Sequence, residues 1–427
     1  MQGYFDLSDE ELSKIYFDLK EEYERFKSKN LKLDMSRGKP SSEQLDFSLG
    51  MMDVLNSKSD FKSDGGVDLR NYGICDGIPE MKEFISELSG IDAEKFIVGG
   101  NSSLSMMFDV ISHFMIKGEK GCEPWAKQKK IKFLCPSPGY DRHFAISEYF
   151  GMELITIPMN SDGPDVNLIE RLVANDDTIK GIWCVPKYSN PQGITYSDEV
   201  VKRLASLKPA AQDFKIIWDN AYFIHDLCED GDNLTDIVSE CEKSGNENMP
   251  IVFFSTSKIT FPGAGVAFMA CSGENLSNFK KMYSVKTVGF DKINQLRHLR
   301  FLKDKSTILA HMKKHREILR PKFDMILNLL SKEFENNHIL SWNCPKGGYF
   351  ISVETTPNCA SRVVELCKNA GVILTKAGAT FPYGKDPQDS NIRLAPTYPS
   401  EEELREAMEL FCVCVKLSFV EKKLNFK

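Results

Sequence analysis

The feature that most constrains this fold is a series of short, near-continuously apolar segments alternating with helix-length segments between residues 96 and 271. The apolar pieces are Phe96-Ile-Val98, Lys132-Phe-Leu-Cys135, residues 153–157, Gly181-Ile-Trp-Cys-Val185, Lys215-Ile-Ile-Trp218, Ile251-Val-Phe-Phe254 and residues 266–271. A strand apolar at successive positions is buried on both faces, so the pattern predicts a mostly parallel sheet covered by helices. Segments 77–89, 104–116, 143–150, 166–174 and 197–206 supply those helices, and the class is α/β.

The flanks read differently. Ser8-Asp-Glu-Glu-Leu12 is a helix cap followed by acids. Leu12, Ile15, Tyr16, Leu19, Tyr23 and Phe26 then recur at helical spacing, which predicts an amphipathic helix over residues 8–30. Residues 34–50 read as a loop. Residues 276–335 are mainly helical, with a long pattern over 293–334. The last ninety residues mix strands (349–353, 372–374, 391–394) with helices (360–369, 400–417), a smaller α+β unit. With 427 residues there is material for two or three domains.

Composition excludes several function classes. The net charge is −7 with no basic block, which argues against nucleic acid as a partner. No apolar run approaches the roughly 20 residues of a membrane helix, and the N-terminus carries no signal-peptide pattern. The twelve cysteines are scattered without CxxC spacing and read as free thiols in a reducing cytoplasm. His311 and His315 stand four apart on a predicted helix without an HExxH acid, and read as surface-helix residues, with no metal site.

Chemistry concentrates at the carboxyl ends of the predicted strands, where open α/β sheets bind ligands. Lys258, in Ser255-Thr-Ser-Lys258, sits between two buried strands. Burial disfavours its ammonium form and leaves a nucleophilic amine able to form a Schiff base with a carbonyl. Asp219 follows one strand and suits a pyridine nitrogen. Asn101, Ser102 and Ser103 open a helix and suit a phosphate. Tyr140 suits ring stacking, and Asn190 and Tyr222 suit a ring oxygen. Arg393, in Asn391-Ile-Arg-Leu394, suits a bidentate carboxylate. These are the demands of pyridoxal 5′-phosphate and an amino-acid substrate.

Taken in order, Gly-Gly-Asn101-Ser-Ser, Pro-Gly-Tyr140, Asn190-Pro-Gln-Gly, Asp219-Asn-Ala-Tyr222, Ser-Thr-Ser-Lys258 and Ile-Arg393-Leu resemble the fold-type-I pyridoxal-phosphate aminotransferases across nearly the whole chain. Residues 33–41 (LDMSRGKPS), 255–261 (STSKITF) and 294–300 (NQLRHLR) are similar to the MocR-like, type Ic aspartate aminotransferases. The resemblance implies a large domain (49–305) with a mostly parallel seven-stranded-type sheet between helices. It also implies a C-terminal small domain (306–427) that packs with an N-terminal helix and loop (1–48), and a homodimer with sites at the subunit interface. It implies that Tyr72 reaches the phosphate of the neighbouring subunit and that Gly38 leaves room for substrate.

One departure stands out. Most of these enzymes carry an arginine shortly after the lysine, where this chain has Gly265 in Pro262-Gly-Ala-Gly-Val266. The phosphate then leans on Ser102, Ser103, Ser255, Ser257 and Tyr72. The resemblance implies a ping-pong aminotransferase acting on aspartate and 2-oxoglutarate, with Lys258, Asp219 and Tyr222 catalytic. Aromatic or neutral amino-acid transamination, a β-lyase and a cofactor-binding regulator are the alternatives. Arg37, Lys39, Arg297 and Arg300 are candidates for a second substrate carboxylate.

Overall fold

In the computed structural model, which describes residues 4–425, the apolar segments pair into one eight-stranded sheet. Its order is Phe96–Val98, Ala267–Ala270, Pro250–Ser255, Lys215–Asp219, Ile179–Cys184, Lys132–Ser137, Glu153–Asn160 and Gly163–Pro164. From Pro250–Ser255 to Glu153–Asn160 every pairing is parallel. Ala267–Ala270 runs antiparallel to both its neighbours. Gly163–Pro164 is a two-residue antiparallel addition at the edge. Nearly every residue of the central strands is buried, as their unbroken apolarity requires.

The small unit is built from both ends of the chain. Asp9–Ser28 is a helix with the expected capping box at Ser8, and it packs against the C-terminal helix Glu401–Lys423. Tyr23 Oη donates to the Leu366 carbonyl at 3.0 Å. Leu33–Asp34 pairs in parallel with Val372–Ile373. A second small sheet has the order Leu340–Trp342, Ile351–Thr355, Asn391–Leu394. Leu12, Leu19, Tyr23 and Phe26 share one core with residues from 319 to 420.

Three expectations are corrected. Residues 34–50 are not wholly loop: Ser42–Asp46 is a short helix, closed by a capping box between Ser41 and Gln44. The long helical pattern over 293–334 breaks at Lys303, with φ of 57°, into Lys292–Leu302 and Lys305–Phe334. His311 and His315 are buried, not surface residues, at 6% and 1% exposure. Lys305–Phe334 passes from one core to another: Ile308 and Met312 pack with the large sheet, and Leu319, Phe323, Ile326 and Leu330 with the small unit. Both histidines face inward between the two cores, while Lys313, Lys314 and Glu317 on the same turns stay exposed. Among the described residues, no helix is long and apolar enough to cross a membrane.

Candidate active site

The parallel strands end on a common rim, and a cavity of about 560 Å³ opens there between the large sheet and the small unit. Gly38, Ser103, Tyr140, Asn190, Asp219, Tyr222, Lys258 and Arg393 all line it. Residues far apart in sequence meet because each follows a strand of one register, or, like Gly38 and Arg393, belongs to the small unit facing that rim.

Asp219 ends its strand almost wholly buried. Its Oδ2 is 3.0 Å from His143 Nε2. His143 stacks on Trp183 with ring centroids 4.5 Å apart and meets Tyr140 edge-on at 4.9 Å. Among the described residues, Asp219 Oδ1 has no hydrogen-bond partner. A buried carboxylate oxygen left open is costly unless a ligand supplies a donor. The Lys258 ammonium is pushed down by burial, and the nearby Asp219 carboxylate offsets this in part. Its Nζ lies 5.0 Å from the centre of the Tyr222 ring. Burial raises the Tyr222 phenol well above its usual range and moves that of Tyr140 up to about 12, so both remain hydrogen-bond donors at neutral pH.

Arg393 is buried in the cavity lining. Its Nη1 donates to Asn190 Oδ1 and Asp141 Oδ1, each at 3.1 Å, and its guanidinium lies 4.8 Å from the Phe350 ring centre. Gly38 lines the cavity, but the space left by its missing side chain belongs to Phe350: a Cβ there would lie 2.5 Å from Phe350 Cζ.

The remaining predicted residues do not line the cavity. Ser102 caps the helix Ser103–Ile116, accepting from Ser105 N at 3.4 Å. Ser257 Oγ donates to the Asn101 carbonyl at 3.4 Å, Ser257 N donates to Ser255 Oγ at 3.4 Å, and Asn101 Nδ2 donates to the Gly263 carbonyl at 3.2 Å. The loop at Gly265 is braced by Asn294 Nδ2, which donates to the carbonyls of Ala264 and Gly265 at 3.0 Å each. Tyr72 lies away from this cavity and is 82% exposed.

Of the candidate cations, Arg37 and Lys39 line the cavity, whereas Arg297 and Arg300 do not. Arg300 instead binds the Asp60 carbonyl. Sequence reading missed Arg142, Lys376, Asp141 and His143. Three of these follow directly on the Tyr140 motif, and the first turn of the helix Asp141–Tyr149 faces the site. Besides Lys258, the lining holds five basic side chains, those of Arg37, Lys39, Arg142, Lys376 and Arg393, against two carboxylates, Asp141 and Asp219.

The chain is similar to known proteins over nearly its whole length. The family model described as aspartate amino-transferase matches residues 7–427. An aspartate aminotransferase of Corynebacterium glutamicum is 45% identical over 421 residues, covering 98% of this chain and 97% of that protein. The crystal structure of an aspartate transaminase from C. glutamicum superposes with a TM-score of 0.96 at 44% identity, covering 99% of each chain. The α-aminoadipate aminotransferase LysN of Thermus thermophilus shares the fold at 20% identity, with a TM-score of 0.73 over 94% of this chain and 95% of that one. A match of this length and identity places the chain in the aspartate aminotransferase family.

Proposed function

We propose that this protein is a pyridoxal-phosphate-dependent transaminase that takes the amino group of aspartate and passes it to 2-oxoglutarate. The observation that carries the reading is the pairing, in one cavity, of the depressed Lys258 amine with a buried Asp219 whose Oδ1 is unpartnered. A cationic ring nitrogen is the donor that would satisfy that oxygen. The cavity volume is ample for cofactor and substrate.

Asn101, Ser102 and Ser103, at the amino end of the helix Ser103–Ile116, would hold the phosphate together with Ser255 and Ser257, at and just beyond the end of their strand. Tyr140 would stack on the ring, and Asn190 and Tyr222 would meet its oxygen. When bound, the cofactor supplies an aldehyde carbon and an electron-withdrawing pyridine ring. Arg393 binds the substrate α-carboxylate in place of its contact with Asp141. Lys258, whose ammonium form burial disfavours, would be the base that takes the Cα proton. The surplus of cations supports a dicarboxylic substrate, with Arg37, Lys39, Arg142 and Lys376 available to the second carboxylate.

We further propose that the enzyme works in the cytoplasm as a homodimer, with Tyr72 reaching the phosphate of a second copy. Tyr72, Val285 and Val288 are large and exposed, at 82%, 90% and 60%. Gly73 N donates to the Val288 carbonyl, so Tyr72 and Val288 belong to one surface.

The test is substitution at Lys258. Lys258→Ala is expected to bind pyridoxal phosphate without the wild-type visible band and to lose transamination by about 10⁴-fold. Retained turnover with aspartate in that variant would sink the proposal.

A further inference from the structure

A chain of buried polar groups runs beneath Lys258, and the reaction as described does not use it. Tyr349 Oη donates to the Lys258 carbonyl at 3.3 Å. Gln44 Nε2 lies 3.1 Å from Tyr349 Oη and 3.0 Å from His315 Nδ1. His315 Nε2 lies 3.2 Å from His311 Nε2, and that nitrogen is 2.8 Å from the Ile259 carbonyl. Gln44, Tyr349, His315 and His311 are all buried.

The orientation of the chain is fixed at one end. Ser41 N can only donate, and it donates to Gln44 Oε1 at 3.1 Å. The Gln44 amino group therefore points at Tyr349 and His315, His315 Nδ1 accepts, and the His315 proton sits on Nε2; His311 Nε2 donates to the Ile259 carbonyl, so the two histidine rings touch without a hydrogen bond between them. Gln44 stands on the short helix that follows the Ser36–Lys39 stretch of the cavity wall. One amide thus joins that wall to the peptide bearing the lysine.

Stability alone does not explain such a network. Apolar side chains of similar shape would fill the space with less to desolvate. We propose that Gln44 and Tyr349 are positioning residues for Lys258: through hydrogen bonds they fix the peptide that carries the amine and lock it to the Ser36–Lys39 segment. The proposal rests on the reading of Lys258 as the carbonyl-binding lysine.

The experiment uses the full chain loaded with pyridoxal phosphate, and compares wild type with Tyr349→Phe, Gln44→Met and the double variant. The groups around the Lys258 amine, namely Asp219, Tyr222 and His225, are unchanged in all of them. Each single variant is expected to move the midpoint of the pH titration of the visible band by about half a unit or more. The thermal midpoint should stay close to wild type, and kcat should fall about ten- to a hundredfold with a smaller change in KM. Because both residues act through one chain, the double variant should be little worse than either single one.

An unmoved titration in both variants, or strictly additive losses, would overturn the proposal. If Gln44→Met does not fold, Tyr349→Phe, which deletes one oxygen, decides alone. A wild type whose band survives Lys258→Ala overturns the reading of Lys258 and this proposal with it. A normal wild type with unmoved variants overturns this proposal only.

Discussion

The two oxygens of Asp219 have separate work. One is held by His143, which is itself clamped on Trp183, and the other is left open toward the cavity. Asp219→Asn keeps the shape and removes the charge, so it should leave the fold intact and slow Cα proton transfer by about 10²–10⁴-fold. Loss of deuterium exchange at the substrate Cα is the measurement, and a near-wild-type exchange rate would remove Asp219 from this role. At this scale the sequence was most informative where chemistry restricts residue type: a lysine after a buried strand, an acid after another, an arginine in Ile-Arg-Leu. It was silent on His143, Asp141 and Arg142, because a helix's first turn carries polar residues for capping as often as for binding. Nor does anything local show that the Phe350 ring lies against Gly38.

Among the elements, the central strands were legible because burial on both faces leaves only apolar residues, a signal written residue by residue. The short helix Ser42–Asp46 carried an equally plain signal, Ser41-Ser-Glu-Gln44, which a reading centred on long periodic segments passes over. The fate of Lys292–Leu302 and Lys305–Phe334 was not legible, because their polar faces pack inward. His298 shows the cost of such packing. It is wholly buried, its Nδ1 donates to the Asn294 carbonyl at 2.8 Å, and its Nε2 accepts from Thr260 Oγ1 at 2.9 Å. Burial pushes its pKa from the usual 6.5 down to about 4. The unfolded chain therefore takes up this proton at a higher pH than the folded chain. The stabilisation is complete above pH 6.5 and is lost as pH falls toward 4, by roughly 3 kcal/mol. Denaturant midpoints measured across that window should fall less steeply in His298→Gln than in wild type. Equal slopes would show that His298 is not held neutral.

For the molecule as a whole, the proposed second copy would cover the exposed side chains of Tyr72, Val285 and Val288. Sedimentation equilibrium is expected to return twice the chain mass, and Val285→Asp to shift it toward the single-chain value and weaken cofactor binding. A wild type that sediments as a single chain at high micromolar concentration would refute the dimer. The pairing of the two chain ends has a further consequence, one of time. Tyr23 and Leu366 bond across 343 positions of sequence. At about 5–20 residues per second, tens of seconds of translation separate the two. The segment bearing Arg37, Gly38 and Lys39 leaves the ribosome among the first and finds its docking surface among the last. The wall of the cavity that this segment supplies is therefore completed only after every strand of the large sheet has been synthesised.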